Sequence, residues 1–198
     1  MSLIPMNEIT RLDQLDLNGS YSYKDYLLWK LKERVEIIKG KIMAMSPAPN
    51  RLHQDISLKL TSEFLKVFPN GGCKLYVAPF DVRFPDENGN VKTVVQPDLC
   101  VICDPNKLDE RGCLGAPDLV VEILSPGNSK REMKDKYELY QEYGVSEYWV
   151  VRPEERNIHI YVLENGRYIG IAPVVEDDVI TSVKFPNLSF STTGLYDL

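Results

Sequence analysis

Asp98 follows Gln96-Pro97 at the head of the run 98–103, and Glu122 lies inside the apolar stretch Leu119-Val120-Val121-Glu122-Ile123-Leu124. A carboxylate within an apolar strand needs a hydrogen-bonding partner or a cation. If the runs 98–103 and 118–124 pair as an antiparallel hairpin centred near Glu110, opposed residue numbers sum to about 220, and Asp98 faces Glu122. Two carboxylates on neighbouring strands repel and rarely sit together without a cation, so the pair predicts a metal site. Strand parity also sets Asp118, Val120, Glu122 and Leu124 on one face. The simpler alternative is that Asp98 and Asp118 start strands after Pro97 and Pro117, with Glu122 at a solvated rim.

A lysine joins the acids. The charged segment 130–143 has helical spacing, with Met133, Tyr137 and Tyr140 on its apolar face. At about 100° per residue, Lys136 falls between Tyr140 and Tyr143 and points toward the sheet, whereas Lys130, Arg131 and Lys134 point elsewhere. Such a lysine could snorkel its ammonium to the edge. Beside two carboxylates it could instead neutralise a developing anion or orient a water. Trp149 and the tyrosines at 137, 140, 143 and 148 could stack on bases, although their regular spacing fits core packing better.

The elements that must carry these groups follow from capping and periodicity. Ser20 or Ser22 caps an expected helix over 23–33, and the runs 35–38 and 41–45 flank Lys39-Gly40 as a tight hairpin. Asn50 is a good N-cap for a long helix reaching about residue 68, whose apolar stripe is His53, Ile56, Leu60, Phe64 and Val67. A strand over 75–84 turns through 86–90 into 91–95. Strands at 98–103 and 118–124 flank a polar loop, the helix ends at Gly144, and strands at 147–151, 158–163 and 167–175 follow. The tail from Val179 adds short strand pairing. This order predicts a mixed α/β fold, with a mostly antiparallel central sheet carrying helices on its faces.

Composition sets the class. The 198 residues include 29 acidic and 23 basic side chains, a formal charge of −6, with 43% hydrophobic and 26% charged residues. Those values exclude a disordered chain, and no apolar run approaches the length of about 20 residues that spans a bilayer. The N-terminal segment carries acids and no apolar signal core, which predicts a cytoplasmic protein with no membrane partner. Cys73, Cys100, Cys103 and Cys113 form no convincing framework, so buried reduced cysteine is the expectation. The acidic balance argues against a protein that grips nucleic acid by bulk charge. It leaves room for a local basic flank at Lys130, Arg131 and Lys134.

Several runs taken together resemble a known family. They are Val35-Glu36-Ile37-Ile38-Lys39-Gly40-Lys41-Ile42, Met45-Ser46-Pro47, His53, Gln96-Pro97-Asp98, residues 116–126 with their Glu-Ile-Leu-Ser-Pro ending, Lys136, and Gly144-Val145-Ser146-Glu147-Tyr148-Trp149-Val150-Val151. Over roughly residues 20–175 the chain is similar to the Uma-type restriction-endonuclease-like family, a large bacterial group within the PD-(D/E)XK nuclease superfamily. The resemblance implies a restriction-endonuclease-like core in a single domain over 1–198, with a strand-rich C-terminal tail. It also implies Mg²⁺- or Mn²⁺-dependent cleavage of nucleic acid, DNA first among the candidates, and a homodimer.

Carried over by motif, Asp98 and Glu122 are the catalytic acids and metal ligands, and Glu36 is an additional ligand, direct or through water. The superfamily's lysine two residues after the second acid is absent, since that position is Leu124; Lys136 in the following helix is the match. His53 and Asp118 become candidates for supporting the ligands, His53 by orienting Glu36 or a water. Position 132 is Glu where relatives often have Asp, and Arg152 stands where they often have Asp. Pro117-Asp118 with Glu132-Met133-Lys134 also spells the motif literally, but an acid and a lysine two apart share a direction on a strand and not on a helix. A catalytically inactive member binding nucleic acid or protein is the competing reading, and hydrolysis of another phosphate ester is a third.

Overall fold

The Lys39-Gly40 turn sets the first local structure, because both residues adopt positive φ, 50° and 80°. That is the requirement of a two-residue type I′ hairpin. Gly40 is also held by a close approach: a Cβ there would lie 2.5 Å from the Ser20 hydroxyl. The computed structural model describes residues 8–45, 49–68, 72–126 and 130–197. The Ser46-Pro47 turn and the side chains of Lys130, Arg131 and Glu132 lie outside the described residues, so two of the three basic-flank residues and the literal motif's Glu132 do too, while Lys134 is described and exposed.

In chain order the elements begin with α1 (Tyr23–Tyr26), β1 (Val35–Ile38), β2 (Lys41–Ala44), α2 (Arg51–Val67), β3 (Lys74–Val77), β4 (Val82–Pro85), β5 (Val91–Val95) and β6 (Leu99–Ile102). Then come β7 (Leu108–Asp109), β8 (Gly112–Leu114), β9 (Leu119–Ile123), α3 (Lys130–Tyr143), β10 (Glu147–Arg152) and β11 (Asn157–Glu164). The chain finishes with β12 (Arg167–Gly170), β13 (Val174–Val175), β14 (Val179–Thr181) and β15 (Ser189–Ser191). The described residues divide into two compact units, one holding the chain up to Met45 together with Arg83–Val95, the other holding the remainder.

In the first unit β1 pairs antiparallel with β2, Glu36 opposite Met43, and with β5, Ile37 opposite Val94. Leu15, Tyr23, Val35, Ile37, Phe84, Val94 and Val95 are its buried apolar residues among those described, and the Arg83 guanidinium lies over the Tyr23 ring at 5.2 Å. The helix expected over 23–33 stops at Tyr26. Ser22 starts it as foreseen, with its backbone N–H bonded to Asp25. Its end comes from tertiary pairing: the Lys30 N–H bonds the Ile9 carbonyl at 2.7 Å instead of a carbonyl one turn back.

The second unit is built on a seven-stranded mixed sheet ordered β12-β11-β10-β9-β6-β3, with β13 also on β11. β9 and β10 run parallel, and the other pairs with described register are antiparallel. Leu99, Val101, Leu119, Val121, Ile123, Trp149, Val151, Ile158 and Ile160 pack on one face against Ile56, Leu60, Phe64 and Phe68 at the end of α2. The Phe64 and Trp149 rings meet edge to face at 5.6 Å, and burying each such side chain contributes about 1.5–3 kcal/mol. The tail joins this core through Ile180, Leu188, Leu195 and Tyr196. α3 covers the opposite face, Tyr140 against Tyr148 at 5.0 Å and Tyr137 against Tyr161 at 4.9 Å. With both faces covered, all five residues of β9 are buried.

Two expectations change. The strand foreseen over 75–84 is divided into β3 and β4 around Pro79, which has no N–H to give a ladder. Cys73 and Cys103 form a disulfide, correcting the expectation of reduced cysteines throughout; Cys100 and Cys113 are buried thiols. The cause is register: Lys74 pairs Ile102, so one step further sets Cys73 beside Cys103. Cys100, three residues from Cys103, points to the opposite face of β6.

Candidate active site

Leu99 pairs with Val121 and Cys100 with Val120, so the register sum is 220 and one further step sets Asp98 opposite Glu122. Pro97 explains why Asp98 heads the strand: it supplies no N–H and pre-sets an extended entry. The Asp98 carboxylate is fixed by the Ile123 N–H, 2.7 Å from Oδ2, at the end of the neighbouring strand. His53, in the first turn of α2, brings Nε2 to 3.3 Å from the same oxygen. Asn50 caps that turn by accepting from the His53 N–H at 2.9 Å. Burial works to lower the His53 pKa, but the bond and charge of Asp98, helped by the Ile123 backbone and Glu122, raise it above the ordinary value.

Glu122 is held from α3. Lys136 Nζ lies 2.9 Å from Oε1, and the Tyr140 hydroxyl donates to the same oxygen at 2.6 Å. Lys136 and Tyr140 are four residues apart, hence neighbours on one helix face. Glu122 and Lys136 are each 7% exposed, so their attraction is poorly screened by water. Tyr148, edge to face with Tyr140, has its phenol pKa raised well above the usual value by burial and then by the Glu122 charge.

The structure therefore brings together Asp98, Glu122, Lys136 and His53 among the sequence candidates. Asp118 is separate. It starts β9, about 13 Å from Glu122 at the usual strand rise, where Oδ2 accepts from the Cys103 N–H at 2.8 Å and Oδ1 lies 3.9 Å from Lys184. Glu36 is on β1 of the first unit and is buried. Tyr140 was missed as a Glu122 partner, although its spacing from Lys136 was available in the sequence. The Asp98 bond to Ile123 carried no sequence signal, because any residue there supplies a backbone N–H.

Opposed carboxylates offer hard oxygen donors of the kind Mg²⁺ and Mn²⁺ prefer. No group of three or more His, Cys, Asp or Glu side chains able to hold a metal occurs among the described residues. The set fits an ion that keeps several waters and uses one or two carboxylates with substrate phosphate, which is the habit of Mg²⁺. It does not fit a closed structural site of the zinc type. The Nδ1 atom of His53 is buried without a hydrogen-bond partner.

This fold is that of the restriction-endonuclease-like class. The Uma2 family model, described as "Putative restriction endonuclease", matches residues 23–193, and the chain belongs to that family. An uncharacterized protein of Synechocystis is 29% identical over 121 residues, 60% of this chain; the chain spans 61% of that relative's length. The crystal structure of a "putative nuclease belonging to DUF820" from Anabaena variabilis is similar with a TM-score of 0.69 at 22% identity, covering 89% of this chain and 97% of that one. No described helix is long and apolar enough to cross a membrane.

Proposed function

We propose that this protein is a Mg²⁺- or Mn²⁺-dependent endonuclease that hydrolyses phosphodiester bonds of nucleic acid. The observation that carries the reading is the register that sets Asp98 opposite Glu122, with Lys136 at 2.9 Å from the Glu122 carboxylate. Asp98 and Glu122 hold the ion. When bound, it supplies Lewis-acid polarisation of the phosphate and lowers the pKa of the attacking water. His53 and the Ile123 N–H keep Asp98 in place. Lys136 is close enough to neutralise charge that develops on the phosphorane-like transition state. The same reading takes DNA as substrate and a cytoplasmic homodimer as the working form.

The test is cleavage of plasmid and single-stranded DNA by the purified protein with Mn²⁺ or Mg²⁺. Asp98→Ala and Glu122→Ala abolish it while the protein still melts cooperatively, at a lower temperature for Glu122→Ala because Lys136 and Tyr140 lose their acceptor. Cleavage that survives either substitution overturns the assignment.

One observation favours a second reading, a catalytically inactive binding module. Lys136 and Tyr140 already occupy Oε1 of Glu122, so its charge is partly neutralised without a metal. Calorimetry separates the two: no uptake of Mg²⁺ at millimolar concentration, together with absent cleavage, supports the inactive module.

A further inference from the structure

Beside the acid pair, on the same sheet face, lies a cavity of about 360 Å³ lined by Met133, Lys134 and Tyr137 of α3 and by Tyr148, Val150, Arg152, His159 and Tyr161 of β10 and β11. Its position follows from register. Val150 pairs with Glu122 on one side and with His159 on the other, so Glu122, Val150 and His159 form one row across three strands. Paired residues point to the same face, and each strand adds about 4.8 Å, so His159 lies about 10 Å along the row from Glu122. Tyr148 and Tyr161 form the next row, stacked at 5.9 Å.

Among the described residues the lining has an unusual balance for a chain of net charge −6: a lysine, an arginine, a histidine and three tyrosines, with no carboxylate. Glu138 approaches Lys134 at 3.5 Å and Glu155 pairs with Arg152, both from outside the lining. Tyr137 and Tyr161 are half-buried, so each ring keeps an open part, whereas Tyr148 is closed beneath them. The volume is within the range of about 300–1,000 Å³ usual for small-ligand sites. Cationic tips around aromatic walls suit a ligand that is both anionic and planar. Burial and then Arg152 lower the His159 pKa and so favour the neutral ring, which has one donor and one acceptor for a base edge or a sugar.

We propose that this trough is a nucleotide subsite, taking the nucleotide next to the scissile phosphodiester, with Tyr137 and Tyr161 against the base and Arg152 and Lys134 on its phosphate. This rests on the nuclease reading for the identity of the neighbouring site, and it assigns residues that the acid pair does not use. It also resolves where aromatic residues serve: Trp149 is core on the opposite face, while Tyr137 and Tyr161 at the trough stay partly accessible.

The test is fluorescence anisotropy with short labelled oligothymidylate and oligouridylate in EDTA, so that binding is read without metal or cleavage. Wild type binds one or both, with affinity falling as salt rises. Arg152→Ala weakens binding and reduces the logarithmic salt slope by about 0.7, the value for one phosphate contact on a single strand. Tyr161→Leu weakens binding by about tenfold, as loss of one stacked base predicts, and Tyr161→Phe retains it. The conservative phenylalanine and a thermal melt of each variant separate lost contact from lost fold. No binding by wild type, or unchanged affinity in Arg152→Ala and Tyr161→Leu, overturns the subsite. Trough-dependent binding without any metal-dependent cleavage overturns only the nuclease reading. Cleavage whose KM ignores both substitutions overturns only the trough.

Discussion

The Tyr140 hydroxyl donates a 2.6 Å hydrogen bond to Oε1 of Glu122, from a side chain that is itself fully buried. The bond joins α3 to the middle of the sheet at the one carboxylate β9 carries into an otherwise apolar layer. Lys136 meets the same oxygen, so a neutral and a charged donor share the task of fixing it. Their roles differ: a lysine can release the carboxylate to a cation and turn to a phosphate, whereas a phenol at this distance holds its direction.

Tyr140→Phe should therefore lower metal affinity or cleavage by about 10- to 100-fold, the usual effect of removing a group that orients a ligand. The ring still fills its space, and the loss of stability should stay near about 1.5–3 kcal/mol, the worth of a hydrogen bond to a charged group. Calorimetric Mg²⁺ titration with a urea melt measures both. Unchanged metal binding and cleavage would show that Tyr140 only packs.

Glu147 offers a contrast, because its buried carboxylate is built into the scaffold. Oε1 accepts from Trp149 Nε1 at 2.6 Å and from the Val183 N–H at 3.3 Å; Oε2 accepts from the Ser182 hydroxyl at 2.9 Å and the Lys184 N–H at 2.7 Å. Glu147→Ala leaves these donors without their acceptor and should cost at least about 3 kcal/mol, with faster hydrogen exchange at Val183 and Lys184. The acid pair lies on the opposite face and is untouched. A loss below about 1 kcal/mol would mean the tail is anchored by its apolar contacts alone.

Cys73 and Cys103 should resist alkylation in the unreduced, denatured protein while Cys100 and Cys113 react, a difference that mass spectrometry counts directly. Replacing both bridged cysteines by serine should cost about 2–4 kcal/mol. Alkylation at all four positions without reductant would remove the disulfide from the native state.

These cases show what was legible in the sequence. The opposition of Asp98 and Glu122 was readable because Pro97 and Pro117 mark both strand starts and the loop between them closes locally. Inside that loop β7 and β8 form their own hairpin, Leu108 opposite Cys113. Lys136 was readable from helix periodicity. The disulfide was not, because β3 and β6 meet across an intervening stretch that folds into other strands, and no local rule sets their register. The early stop of α1 was equally hidden, since its cause is a carbonyl at Ile9. Asp118 looked equivalent to Glu122 by parity; distance along the strand separates them, with Asp118 held by Cys103 and near Lys184.

His159 gives a pH-dependent expectation. Burial and then Arg152 lower its pKa, against a smaller opposing effect of Glu155. The folded state therefore favours the neutral ring, compared with an unfolded value of about 6.5. That preference contributes stability that is fully present above the unfolded value and is lost as pH falls through the folded one. NMR titration of the imidazole, assigned with His159→Gln, should give a wild-type midpoint below about 6.5. Arg152→Ala should move the midpoint up and Glu155→Gln should move it down, because one removes a cation and the other an anion. Nucleotide phosphate bound in the trough adds negative charge near the ring and should also move it up. A wild-type midpoint at or above the unfolded value, or one indifferent to Arg152, would place the guanidinium away from the imidazole and remove the charge pattern on which phosphate recognition there depends.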